Sequence, residues 1–244
     1  MSTIIITGAS KGIGLAVALN AARKGYDICI TYKSDKKAAD KAVKKLKKIT
    51  QKVVCVKADI SNIRDIKKIY QKINKLSRLE ILVNNAATNV FRTPFEDIKY
   101  KDLKKIFEIN YFGYFYCSQL AFKIFKKQNK NLNKSIINLS SQAANFGGNM
   151  FTHYAPTKSA LNTLTKGLSR EAAKYNIRVN AISPGIIMTE GMLKVNKSNL
   201  ENIKKTIPLN KIGTPEEVAE AIMQVAELNS SYITGSIIPV GGGR

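Results

Sequence analysis

The sequence predicts an α/β protein built on a doubly wound parallel sheet, and three observations carry that expectation. Short apolar runs of strand length alternate with longer segments of helical period along the chain. Those runs are nearly continuous in Ile and Val, as strands buried on both faces require. A glycine cluster stands directly after the first run and opens into an apolar helix, the arrangement in which a parallel sheet presents backbone N–H groups to an anion.

In order, the seven strands are expected at Thr3–Thr7, Asp27–Tyr32, Lys52–Lys57, Leu79–Asn84, Ser135–Ser140, Ile177–Ile182 and Ser236–Val240. Helical stretches fall between them near 12–24, 36–49, 62–76, 100–128, 153–175 and 215–228. Ser61-Asn62 and Thr214-Pro215-Glu216-Glu217 read as helix starts. Each offers a side-chain oxygen to the unpaired N–H groups of a first turn, and the second adds an early proline and early acids. No internal repeat or linker divides the chain, so residues 1–244 are expected to form one domain. Between Pro184-Gly185 and Pro208 the periodicity weakens, and residues 183–213 read as a mobile lobe over the active site.

A hydrophobic share of 44% suits a globular chain, while no apolar stretch approaches the ~20 residues that cross a bilayer. The first residues lack the basic flank of a signal peptide, so the expected location is cytoplasmic, with no membrane partner. Cys29, Cys55 and Cys117 are scattered among apolar neighbours and read as reduced packing residues, with no metal cluster. The net charge of +23 comes mostly from lysines, grouped at Lys36, Lys37, Lys41, Lys44, Lys45, Lys47 and Lys48, and again at Lys123, Lys126, Lys127, Lys130 and Lys134. These read as solvated helix faces rather than a specific nucleic-acid site, because charge alone supports only non-specific attraction.

Tyr154-Ala155-Pro156-Thr157-Lys158 places a phenol and an ammonium one helical turn apart on a common face. Free tyrosine ionises near pH ~10, and a close positive charge is expected to lower that value. A proton then moves readily between the ring oxygen and a carbonyl or alcohol. The single histidine, His153, adjoins this pair, but consecutive helical residues point ~100° apart, so it is expected to face elsewhere and to line the pocket at most.

The glycine loop, Thr7-Gly8-Ala9-Ser10-Lys11-Gly12-Ile13-Gly14, fits a dinucleotide pyrophosphate: its glycines permit a tight turn and close approach, and the helix behind it supplies positive potential. An NAD site usually carries a carboxylate at the end of the second strand. Here that strand ends Thr31-Tyr32-Lys33-Ser34, and Asp35 is placed to cap the next helix. Lys33 and Lys11 are positioned instead to pair with a 2′-phosphate, so the expected cofactor is NADP(H).

Seven motifs, in order, resemble the short-chain dehydrogenase/reductase family over essentially the whole chain. They are Thr7-Gly8-x-x-x-Gly12-x-Gly14, Asp59, Asn84-Asn85-Ala86-Ala87, Asn110-x-x-Gly113, Ser140-Ser141, Tyr154-x-x-x-Lys158 and Pro184-Gly185-x-x-x-Thr189. The resemblance implies a seven-stranded Rossmann fold and a catalytic tetrad of Asn110, Ser141, Tyr154 and Lys158. Ser141 is taken over Ser140 because 154 − 141 = 13, the family's common serine-to-tyrosine spacing, while Ser140 is expected to end the strand and line the cofactor pocket.

In the implied chemistry Ser141 donates to a carbonyl oxygen and Tyr154 delivers its proton. Lys158 assists the phenol and grips the nicotinamide ribose, and a helix distortion at Asn110 holds a water. Gly8, Ser10, Lys11, Gly12, Ile13, Gly14 and Lys33 hold the phosphates. Asp59 meets the adenine, Asn85 and Ala86 pack along the cofactor, and Pro184, Gly185, Ile187 and Thr189 line the nicotinamide side. Ala87 departs from the family's usual glycine.

Within the family the chain looks most like 3-oxoacyl-(acyl-carrier-protein) reductases, which implies a carrier-bound thioester substrate and a homotetramer. The arginines those enzymes use for carrier docking have no match at Leu132 and Tyr175, where Lys130, Lys134 and Lys174 stand near. A sugar or polyol dehydrogenase is the alternative. A non-catalytic protein of the same fold that binds nucleic acid through its lysines is a second.

Overall fold

The computed structural model describes residues 2–88, 92–189 and 197–244. Seven parallel strands form one sheet in the order β3-β2-β1-β4-β5-β6-β7. They are β1 (Ser2–Ile6), β2 (Asp27–Tyr32), β3 (Val53–Lys57), β4 (Arg78–Asn84), β5 (Ser135–Leu139), β6 (Arg178–Pro184) and β7 (Ile237–Val240). The helices are α1 (Gly12–Arg23), α2 (Lys36–Lys47), α3 (Ile63–Lys72), α4 (Tyr100–Phe107), α5 (Tyr114–Lys126), α6 (Ala143–Phe146), α7 (Ala155–Ala173), α8 (Lys197–Lys205) and α9 (Pro215–Ala226).

Because alternate side chains leave opposite faces of a strand, each strand feeds two cores. Ile4, Ile6, Ile28, Ile30, Ile81 and Val83 meet α1 and α9 on one face. Ile5, Cys29, Leu79, Leu82 and Ile136 meet α3, α5 and α7 on the other. Cys29 and Cys117 are fully buried packing residues, and burial pushes both thiols up to about 12.

The expected helix starts are present. Asn62 caps α3 by accepting from the Arg64 N–H at 2.8 Å, and Thr214 and Glu217 form a reciprocal capping box at α9. Asp35 caps α2, accepting from the Ala38 N–H at 2.9 Å. The stretch expected as one helix over 100–128 is divided by a π-helical turn at Glu108–Gly113. Two helices in stretches read as loops were not expected. α6 is a single turn ended by Gly147, and α8 is short, with only Leu200 and Ile203 to mark an apolar face. β6 runs on to Pro184 because β7 pairs with its last residues. Residues 190–196 of the expected lobe lie outside the described residues.

A buried polar relay fixes the register of the central strands. Asn84 Nδ2 donates to Ser118 Oγ and to Asn138 Oδ1, both at 2.9 Å, and Asn138 Nδ2 donates to Thr165 Oγ1 at 3.0 Å. The relay therefore ties α5, β4, β5 and α7 together, with Asn84 paired to Asn138 across the sheet. At the far edge, Arg178 donates to the carbonyls of Val225, Ala226 and Glu227 at the C-terminal end of α9, where a cation meets the negative end of the helix. Asn138→Leu orphans polar groups on both sides of the relay and is expected to cost about 1–3 kcal/mol for each group left unpaired. Urea unfolding checks this, as a lower midpoint with an unchanged slope.

Candidate active site

The strand order reverses between β1 and β4, and the crevice beyond their C-terminal ends is where an open α/β sheet takes ligands. One hydroxyl closes the floor of that crevice. Thr7 Oγ1 accepts from the Asn85 and Ala86 N–H groups at 2.9 and 3.0 Å. In return Asn85 Nδ2 donates to the carbonyls of Thr7 and Gly8 at 2.8 and 2.9 Å. The approach is so close that a Cβ on Gly8, whose φ is +64°, would meet Ala86 Cα at 2.7 Å. At Gly14 a Cβ would meet Asn85 Nδ2 at 2.5 Å.

Unlike α2, α3 and α9, α1 has no side-chain cap, and its first turn carries no acid. Its N-terminal N–H groups thus face the crevice unscreened by protein, and a Cβ on Gly12 would meet no atom within 4 Å. Beside this end lies a cavity of about 390 Å³ lined by Gly8, Ser10, Lys11, Lys33, Asp59 and Ala86, together with Thr31, Ala58, Ile60, Ala87, Thr88, Lys105 and Ile109. The donor set and shape fit a dinucleotide: an uncapped helix end for phosphates, apolar walls at Ala58, Ile60 and Ile109, and lysines at the rim. Asn85 differs from expectation, since its amide is spent fastening the glycine loop and does not line the cavity. Ile13 packs against the core beneath α1.

The lysines that were expected to take a phosphate have carboxylate neighbours. Lys33 Nζ lies 2.5 Å from Asp59 Oδ2, and Lys11 Nζ lies 3.9 Å from Asp35 Oδ2. Burial acts to raise the Asp59 carboxyl, but Lys33 and the Ser61 hydrogen bonds outweigh it and hold the group below its ordinary range.

Three of the four expected catalytic residues, Ser141, Tyr154 and Lys158, come together at the start of α7, and Asn110 reaches the same turn through Thr157. Tyr154 stands at the N-cap of α7 and Lys158 in its first turn, where Lys158 Nζ is 5.8 Å from the Tyr154 ring centroid and donates to the Leu139 carbonyl at 2.7 Å. Ser141 hydrogen-bonds the phenol. Ser140 is turned away from the crevice: its hydroxyl donates to Asn162 Oδ1 at 2.7 Å, so it anchors α7 and does not line the cofactor pocket. Asn110 is fully buried within the π-helical turn, its Oδ1 accepting from the Thr88 N–H at 3.2 Å and its Nδ2 facing Thr157 Oγ1 at 3.4 Å. The expected helix distortion is therefore present at this residue.

The electrostatics correct one expectation. Burial raises the Tyr154 phenol above its ordinary value, and the hydrogen bond from Ser141 is what opposes it; Lys158 does not lower it. The amine itself is pulled down to about 7 by burial. Desolvation disfavours the charged form of each group, and at 5.8 Å from the ring the ammonium spends its direct hydrogen bond on Leu139 instead.

After β6 the chain returns to the glycine loop. The Gly185 N–H donates to Val240 O at 3.0 Å, Ile187 bridges to Gly213, and Thr189 shares a small cavity with Gly12, Leu15 and Ala16. Pro184 is buried at the strand end and accepts from the Gln142 N–H at 3.0 Å. His153 lines an adjoining cavity of about 310 Å³ with Thr88, Asp97, Asp102 and Lys105, of which Thr88 and Lys105 also line the crevice. Sequence reasoning missed Ile60, Thr88, Lys105 and Tyr114. Only Tyr114 carried a signal, standing one turn beyond Asn110.

The family described as enoyl-(acyl carrier protein) reductase matches residues 8–244. A 3-oxoacyl-(acyl-carrier-protein) reductase of Thermotoga maritima is 34% identical, covering 98% of this chain and 96% of its own. The L-rhamnose 1-dehydrogenase (NAD(P)(+)) of a Sphingomonas species is 31% identical over 99% of this chain and 95% of its own. The crystal structure of a short-chain glucose/ribitol dehydrogenase from Brucella melitensis superposes with a TM-score of 0.90 at 30% identity, covering 99% of this chain and 96% of that one. With this fold, this crevice and these relatives, the chain belongs to the short-chain dehydrogenase/reductase family, oxidoreductases that act on alcohol and ketone groups with a nicotinamide cofactor.

Proposed function

We propose that this protein is an NADP(H)-dependent reductase of ketones, reversible toward secondary alcohols, with short 3-oxoacyl thioesters as its substrate class. The observation that carries the catalytic reading is the convergence of Ser141, Tyr154 and Lys158 beside the cofactor crevice. Gly8, Ser10, Lys11, Gly12, Ile13 and Gly14 seat the pyrophosphate at the uncapped end of α1, with Asn85 bracing that loop from behind and Ala86 beside it. Asp59 borders the adenine side. Pro184, Gly185, Ile187 and Thr189 border the nicotinamide, which supplies the hydride when bound.

The protein's own work is orientation and proton handling. Ser141 donates to the substrate oxygen, Tyr154 gives that oxygen its proton or removes it, and Lys158 contributes positive charge near both. Asn110, at the π-helical turn, holds a water on the path from Lys158 to solvent. The segment 183–213 is the substrate-binding lobe.

NADP(H) is favoured over NAD by Lys33 and Lys11 at the rim of the crevice, and by Asp35 being committed to capping α2. The carrier-bound form of the substrate is less favoured than the thioester itself. Lys134 is buried and donates to the Tyr175 carbonyl at 2.6 Å, so of the three lysines near the expected arginine positions Lys130 and Lys174 remain as docking charges. Assembly as a homotetramer in the cytoplasm completes the proposal.

Turnover of acetoacetyl thioesters, simple diketones, sugars and polyols, followed through NADPH or NADP, tests the substrate class; sugar turnover alone selects the polyol reading. No turnover together with tight, salt-sensitive RNA binding selects the nucleic-acid alternative. Tyr154→Phe is expected to lower kcat at least about 100-fold with NADPH affinity unchanged by titration. Lys33→Ala is expected to lower kcat/KM for NADPH at least about tenfold, as loss of a charged hydrogen bond does, and to leave NADH nearly unaffected.

Lys158→Met should abolish activity yet stabilise the fold by about 1–4 kcal/mol near neutral pH. Because the folded-state amine titrates at about 7, below the ordinary lysine value of 10.5, its burial penalty is complete below pH 7 and fades as pH rises toward 10.5. The gain in thermal stability should follow that course.

A further inference from the structure

Tyr114 is the largest side chain the proposed catalysis leaves unused. It opens α5 directly after the π-helical turn, is fully buried, and stands four residues beyond Asn110. Its hydroxyl has no hydrogen-bond partner among the described residues, although a buried phenol normally finds one. Its ring is better placed. The face of that ring lies 4.9 Å from Lys158 Nζ, nearer than the Tyr154 ring at 5.8 Å. The arrangement uses the aromatic face and ignores the hydroxyl.

We propose that Tyr114 is a positioning residue of the active site, whose ring face holds the Lys158 ammonium charged and in place against the Leu139 carbonyl. The inference rests on the catalytic role proposed for Lys158 and adds what keeps that amine competent. A desolvated ammonium needs compensation, and an aromatic face supplies it without a formal negative charge that would repel a developing oxyanion. The groups that face Lys158 are few. The ring of Tyr114 comes from α5, the phenol of Tyr154 from the start of α7, and the Leu139 carbonyl from β5. Burial is the one influence that moves the amine, and no carboxylate among the described residues pairs with it. Tyr114 and Tyr154 also sense each other, since a charge on Tyr154 adds to the burial that keeps the Tyr114 phenol protonated. The Tyr114 hydroxyl is therefore not a proton carrier.

The test separates ring from hydroxyl in the full-length protein. In the NMR spectrum of protein labelled at the lysine side-chain carbons, the Lys158 signal is identified by its loss in Lys158→Met and is followed against pH. Tyr114→Leu should lower the Lys158 midpoint by about one pH unit, and Tyr114→Phe should leave it in place. The alkaline limb of kcat/KM should shift in step, lower in Tyr114→Leu and unmoved in Tyr114→Phe. If Tyr114→Leu does not fold, ring-fluorinated phenylalanines at position 114 keep the shape while weakening the negative face in steps, and the midpoint should fall with each added fluorine.

A midpoint unchanged by loss or fluorination of the ring overturns the proposal, as does an equal shift in Tyr114→Leu and Tyr114→Phe. A midpoint that moves while the activity profile stays still upholds the contact and overturns instead the catalytic role of Lys158.

Discussion

The site depends on the clamp at the crossover between β1 and β4. A single threonine hydroxyl, Thr7 Oγ1, receives two backbone N–H groups from the neighbouring strand end, and Asn85 returns two hydrogen bonds to the glycine loop. The clamp fixes the distance between the two halves of the crevice and leaves the first N–H groups of α1 pointing into it. Everything assigned to cofactor and substrate is measured from that floor. The glycines are needed because the two backbones pack against each other with no room for a Cβ at Gly8 or Gly14.

Beyond the clamp, the cleft holds a buried amine and buried hydroxyls. The core is apolar and its central polar groups, Asn84, Asn138 and Thr165, bond one another, while Asn84 Oδ1 has no partner among the described residues. At the cleft an ammonium is buried with one carbonyl and two aromatic faces for company, and Tyr114 and Ser183 each bury a hydroxyl without a partner among the described residues. Buried charge without a counter-charge is destabilising, and sites that handle protons are where proteins retain it. The same burial pulls the Lys158 amine down to about 7.

The surplus positive charge acts at a different level. Most of the lysines on α2 are exposed on a solvated face, as their spacing suggested. Two rim lysines are exceptions in kind: Lys33 and Lys11 border the crevice and have carboxylates close by, so a phosphate arriving there competes with Asp59 and Asp35. Lys134 is not part of such a solvated face, since the fold has buried it against the Tyr175 carbonyl.

The strands were legible because Ile and Val runs report burial on both faces, and the capped helices because Asn62, Thr214 and Asp35 announce their turns chemically. The glycine loop and the Tyr154–Lys158 spacing were legible for the same reason: local backbone chemistry leaves a local pattern. Tertiary structure decided what depends on neighbours distant in sequence. It turned Ser140 toward Asn162 and away from the cofactor, assigned Asn85 to bracing, and brought Tyr114 under Lys158. It also reversed the expected shift of the Tyr154 phenol. The sequence placed an ammonium one turn away, but burial of both groups, which no spacing encodes, sets the direction of their titration.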